Sequence, residues 1–202
     1  IEPSEAGRAA AARVGARVER AAAEDARVEP ASEDAVVLWH ALEHLDDPEG
    51  TLRRARSWLR PDGLLVVAVP DLASLQARIG GDRWFHQDVP RHRTHFTAAG
   101  LRRLLERCGY RVVRVRHLLV EQNPLGMWQT LLNRITVERD FAFRLLKRDL
   151  PAAPAAVRAL DFGVTVVAGT LLAPVAVLVE LAAGLAGRGG TMVVEASSAE
   201  QI

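Results

Sequence analysis

Residues 34–40, "DAVVLWH", and 64–70, "LLVVAVP", are unbroken apolar runs of strand length. Such runs predict strands buried on both faces of a parallel sheet. Between them, "DPEGTLRRARSWL" (47–59) sets Leu52, Ala55 and Leu59 on one helical face with Pro48 in the first turn, and "RPDG" follows as a turn. "TAAGLRRLLERCG" (97–109) predicts a helix capped by Thr97 and stopped by Gly109. "YRVVRVRHLLV" (110–120) alternates apolar and basic residues, the pattern of a half-exposed strand near a sheet edge. Upstream, "SEAGRAAAARV" (4–14) reads as a helix with Ser4 as cap, and "ARVER" (16–20) as a short strand. Strand and helix alternate, which argues for a doubly wound α/β sheet.

After residue 120 the pattern changes. Residues 123–150 read as basic amphipathic helices and "PAAPAA" (151–156) as a hinge. Residues 162–186 are nearly uncharged, and "GRGGTMVVEA" turns into a closing strand at 191–196. The run 162–186 is long enough to cross a bilayer, about 25 residues at ~1.5 Å against a ~30 Å core. Pro174 is expected to divide it into two halves too short to span, and the closing strand has to return to the sheet. The expectation is therefore a bent pair lying in a membrane interface, or packed on the domain or a second subunit. Arg144, Lys147 and Arg148 add a basic face suited to anionic headgroups.

Composition narrows the classes. The 202 residues are 49% hydrophobic and 25% charged, a globular balance, and the net charge of +1 gives no reason to expect nucleic acid as a partner. The single cysteine, Cys108, excludes an internal disulfide framework and fits a reducing cytosol. In "LLERCGY" it reads as a packed thiol at a helix end. No G-x-S-x-G or Cys–His arrangement supports nucleophilic catalysis.

Four stretches in order, "EPSEAG", "AEDA", "EDAVVLWHALEHLDDPEGTLRRARSWLRPDGLLVVAVPD" and "RWFHQDVPRHRTHFTAAGLRRLLERCGYRV", resemble the class I S-adenosylmethionine-dependent methyltransferases. Within them the "LEHL" signature is similar to that of the ubiquinone-biosynthesis O-methyltransferase type. The resemblance implies a Rossmann-like sheet whose last strand is antiparallel, with a core over 1–120, a helical, partly hydrophobic insertion over 121–190, and the last strand and tail over 191–202. It places Glu2 where an acid binds the cofactor ribose, and so puts the glycine-rich cofactor loop upstream of Ile1. An N-terminally truncated methyltransferase, inactive as this chain alone, is the expectation.

The resemblance assigns further roles. Glu24 or Asp25 falls where the family recognises adenine, with the register open between them. Trp39 and His40 close the 34–40 strand and face cofactor or substrate, because ligands sit at the carboxyl ends of such strands. His44, and less so His40, is the candidate general base, with Glu43 as a cap or loop anchor. Trp84, His86, His92 and His95 are assigned to the acceptor pocket. No metal is expected: Asp88 lies among these histidines, but Pro90 breaks any common helix face. The implied cofactor is S-adenosyl-L-methionine and the implied reaction is methyl transfer, on oxygen, to a small-molecule or lipid-like acceptor. The expected location is cytoplasmic, peripheral to the inner membrane face through 134–186, with a homodimer as the other use of that region. A non-catalytic nucleotide-binding or regulatory module and an NAD-type dehydrogenase fragment remain as alternatives. "LEHLDDP" and the terminal "GGTMVVEA" strand weigh against the dehydrogenase.

Overall fold

The computed structural model describes residues 1, 5–15, 18–19, 21–23, 25–150 and 152–199. Glu2, Ser4, Glu24 and most of the expected 16–20 strand lie outside the described residues. Four strands form one sheet: β1 (Glu33–Trp39), β2 (Leu59–Pro70), β3 (Tyr110–Arg116) and β4 (Thr191–Ser198), in the order β1-β2-β4-β3. β1 and β2 are parallel, and β4 runs antiparallel to both β2 and β3. The fold is mixed α/β with a Rossmann-like sheet and an antiparallel last strand, as the sequence predicts.

β2 shows why the sheet holds. Leu65, Val67 and Val69 enter the main core with α2 (Pro48–Trp58) and α4 (Ala98–Arg107), while Val66 and Ala68 pack on the opposite face with Leu119 and Val193. Each helix is started by a side chain that accepts an otherwise unpaired amide. Asp47 takes Gly50 N–H at the head of α2, and Thr97 takes Gly100 N–H at the head of α4. The Tyr110 hydroxyl donates to the Leu52 carbonyl at 3.0 Å and fastens α2 to β3.

Three expectations need correction. β1 is buried on one face only: Leu38 enters the core, whereas Val37 and Trp39 are 57% and 42% exposed. It lies at an edge of the sheet, and Trp39 on its second face opens onto a cavity instead of a packed layer. The "RPDG" segment is not a separate turn but part of β2. Glu33 pairs with Leu59 and Ala35 with Leu64, so a bulge absorbs the extra residues. Finally, Pro174 does not divide the apolar run. α7 (Ala155–Leu185) is one 31-residue helix, with Pro174 on its exposed side, where a lost backbone hydrogen bond is left to water.

The remaining helices are α1 (Glu5–Arg13), α3 (Leu75–Gly80), α5 (Asn123–Asn133) and α6 (Phe141–Leu146). α5 and α3 carry α7, which is pinned at three points. Asp161 accepts the amides of Val137 and Glu138 at 2.8 Å each. Trp128 donates its indole N–H to the Gly169 carbonyl at 2.8 Å. Glu180 accepts from Gly190 N–H at 2.5 Å and from the Gln76 amide at 3.1 Å.

Candidate active site

At the carboxyl end of β1 the chain turns sharply at His40, which has φ +48°. A non-glycine residue with positive φ is uncommon and calls for a local reason. Here the turn drops the imidazole onto Glu43 in the following 3₁₀ turn (Leu42–His44), with Nδ1 3.1 Å from Oε1. Glu43 is only 1% exposed, and its Oε2 has no hydrogen-bond partner among the described residues. The Glu43 carbonyl accepts the amides of Arg93 and Thr94, which ties the 84–96 loop to the end of β1. His40 Nε2 lies 3.0 Å from Gln122 Oε1, beside the start of α5.

These contacts push two neighbouring imidazoles apart. Burial alone would lower the pKa of His40, but the hydrogen bond and charge of Glu43, aided by Gln122, outweigh it and the net direction is upward. His86 stacks on His40 with ring centroids 6.1 Å apart. Its pKa is pushed down to about 3, first by burial and then by the charges of His40 and His92. The surroundings therefore favour the charged form of His40 and the neutral form of His86.

Three further histidines are oriented by backbone carbonyls. His44 Nδ1 lies 3.0 Å from the Arg91 carbonyl, His92 Nδ1 2.8 Å from that of His86, and His95 Nε2 2.9 Å from that of Gln87. A carbonyl only accepts, so each of these nitrogens carries the hydrogen. In their neutral forms, His44 and His92 therefore present Nε2 as a lone pair. The buried His92 is lowered in pKa by desolvation, against its carbonyl bond and the charges of Glu43 and Asp88.

A cavity of about 430 Å³ opens over this group, lined by Trp39, His40, His44, His86 and His92 of the expected residues. That volume suits a small ligand. Trp84 and His95 do not line it. Trp84 is 1% exposed and donates to Gln76 at 3.3 Å, behind the wall, while His95 holds the loop from within. Asp25 lies exposed in a turn, away from the cavity. Gln122, Phe143 and Lys147 are among the other residues that line it. Sequence reasoning missed them, because no spacing ties residues 122–147 to the 40–44 turn. Lys147 Nζ sits 4.5 Å over the Phe143 ring, a pair at i, i+4 that the sequence alone leaves unplaced.

Glu43, His44 and His92 each bring one donor atom within 4.8 Å of the others. Two imidazoles and a carboxylate are a donor set that suits a divalent ion. Glu43 Oε1 also lies 3.1 Å from His40 Nδ1, so one carboxylate faces His40 as well as the His44–His92 pair.

Residues 1–115 match the methyltransferase domain family. The chain belongs to that family. No curated protein sequence matches it. Among solved structures, a methyltransferase of Thermotoga maritima described as a possible histamine N-methyltransferase is similar at 17% identity and TM-score 0.55, over 98% of this chain and 71% of that one. An S-adenosylmethionine-dependent methyltransferase of Mesorhizobium loti is similar at 16% identity and TM-score 0.51, over 97% and 77%. The [4+2]-cyclase SpnF is similar at 16% identity and TM-score 0.52, over 95% and 60%. At such identities the likeness is one of fold. The chain spans between 60% and 77% of these three structures.

Family membership makes this a class I methyltransferase with S-adenosylmethionine as its cofactor. The described residues fit its methyl-donor end. An aromatic face at Trp39, 42% exposed at the carboxyl end of β1, suits a sulfonium cation, and the cavity beside it admits an acceptor.

Proposed function

We propose that this protein transfers a methyl group to a hydroxyl oxygen of a small-molecule or lipid-like acceptor, with His44 as general base. The observation that carries this reading is His44 itself. Its Nδ1–H is held by the Arg91 carbonyl, and its ring lines the cavity next to a buried carboxylate. Bound S-adenosylmethionine supplies an electrophilic methyl carbon on a sulfonium. With that group bound, His44 Nε2 would take the proton of the acceptor hydroxyl as its oxygen is methylated. The imidazolium that forms would lie near the buried Glu43, which has a carboxylate oxygen within 4.8 Å of a His44 ring nitrogen and favours the new charge. His40, already held by Glu43 and Gln122, orients the turn and faces the cofactor side with Trp39. His86, kept neutral, presents an uncharged wall to the acceptor. On the cofactor side, Glu2 is assigned to the ribose and Glu24 or Asp25 to adenine, on the family pattern alone.

The test is His44→Gln in the full-length protein, assayed by release of S-adenosylhomocysteine over a panel of phenols and prenylated alcohols. Turnover is expected to fall by about 10²–10⁴, with S-adenosylmethionine affinity unchanged. A variant that turns over at the wild-type rate would remove His44 from the chemistry.

A further inference from the structure

α7 wears its side chains the reverse of a helix on a water-facing domain. The positions turned to the domain are small or acidic: Asp161, Gly169, Ala176, Glu180, Ala183 and Gly184. The positions turned outward are large and apolar. Leu160, Val167, Leu171, Leu178 and Leu185 are between 57% and 78% exposed. Of the most apolar 18-residue window, only 11% is buried. An ordinary surface helix does the opposite, with its apolar stripe inward.

We infer that this face lies on an anionic lipid bilayer, with α7 parallel to the surface. Crossing is excluded by the connections. Asp161 and Glu180 fasten the helix to the domain near its two ends, and β4 re-enters the sheet six residues after Leu185. A partner helix is too narrow a cover. Phe162, Val166 and Val175 are also about half exposed, so the apolar face spans roughly half the helix circumference, wider than a two-helix seam. Charge at both ends points to headgroups. Arg148 and Arg158 near the start and Arg188 near the end are exposed, and none forms an ion pair among the described residues. Leu146 and Leu150, both exposed, flank Arg148 and continue the apolar surface. An interfacial helix with a broad apolar face and flanking cations binds in this way.

The experiment is flotation of the full chain with vesicles of phosphatidylcholine alone and of phosphatidylcholine mixed with phosphatidylglycerol. Wild type should float with the anionic vesicles. Leu171→Glu/Leu178→Glu should lower the bound fraction about tenfold or more on either vesicle, and Arg148→Glu/Arg158→Glu should lower it on the anionic ones only. Both pairs are exposed, so circular dichroism and melting should match wild type. Wild type that stays unbound with both vesicles overturns the inference. So does a lipid-free dimer that Leu171→Glu/Leu178→Glu dissolves, because it assigns the face to a second copy. Vesicle binding is read without turnover, so its failure is separate from any failure of the methyl-transfer reading.

Discussion

β2 and α7 are both written in apolar letters, yet they dispose of them in opposite ways. In β2, Leu65, Val67 and Val69 are fully buried between α2, α4 and the neighbouring strands. In α7, leucines of the same size stand in the open, while two carboxylates from the same helix, Asp161 and Glu180, are 0% and 1% exposed. Hydrophobicity therefore does not say which way a segment faces. The few polar residues inside an apolar run do, because a buried carboxylate needs specific partners and is found only where the fold supplies them.

The comparison breaks most visibly in β2. Leu65→Ala leaves a hole in a core that cannot collapse around it, and should cost about 3–5 kcal/mol of unfolding free energy in urea titration. A loss below about 1 kcal/mol would mean that the sheet core is far looser than its burial indicates.

A middle-sized effect is expected from the acid that holds α7. Glu180→Ala leaves Gly190 N–H buried without its acceptor and takes from the Gln76 amide one of its two, at a cost of about 2–3 kcal/mol. Burial, opposed by those two hydrogen bonds, raises the pKa of Glu180 above its ordinary value. A raised carboxyl in the folded state means that the folded protein holds its proton more tightly than the unfolded chain. Its contribution is therefore greatest below the unfolded value of about 4.5 and declines as pH rises through the folded one. Glu180→Gln cannot ionise. The stability of wild type relative to Glu180→Gln should therefore fall with rising pH across that window, and a difference that stays flat would show that Glu180 does not titrate there.

Most of the sheet was legible from the chain, because continuous apolar runs bounded by turn residues leave few alternatives to buried strands. Residues 64–70 and 191–196 appear where the pattern puts them, and 191–196 is antiparallel, as the family resemblance implies. The one-sided burial of β1 was not legible, since burial depends on neighbours and a run of valines does not record which edge is covered. The unbroken course of α7 was hidden for a related reason: Pro174 disfavours a helix locally, and the anchors at Gly169 and Glu180 that hold it together lie outside any local window. At the site, His40 could be picked out because it ends a strand, and His44 because it falls in the "LEHL" signature just after it. Gln122 and Lys147 could not, because only the packing of α5 and α6 brings them to it.

The smallest expected effect is the sharpest test of the contrast. Leu178→Ala removes the same atoms as Leu65→Ala, but from a side chain that is 68% exposed. No cavity forms, and alanine favours helix at least as well as leucine, so stability in buffer should change by less than about 0.5 kcal/mol in either direction. Anionic vesicles should change that result. A surface that binds only the folded protein stabilises it by mass action, and Leu178 contributes apolar area to that binding. Wild type should therefore melt higher with vesicles than without, and Leu178→Ala should gain less. If the substitution instead costs several kcal/mol in buffer alone, Leu178 is covered by protein, and the two apolar segments differ in nothing but shape.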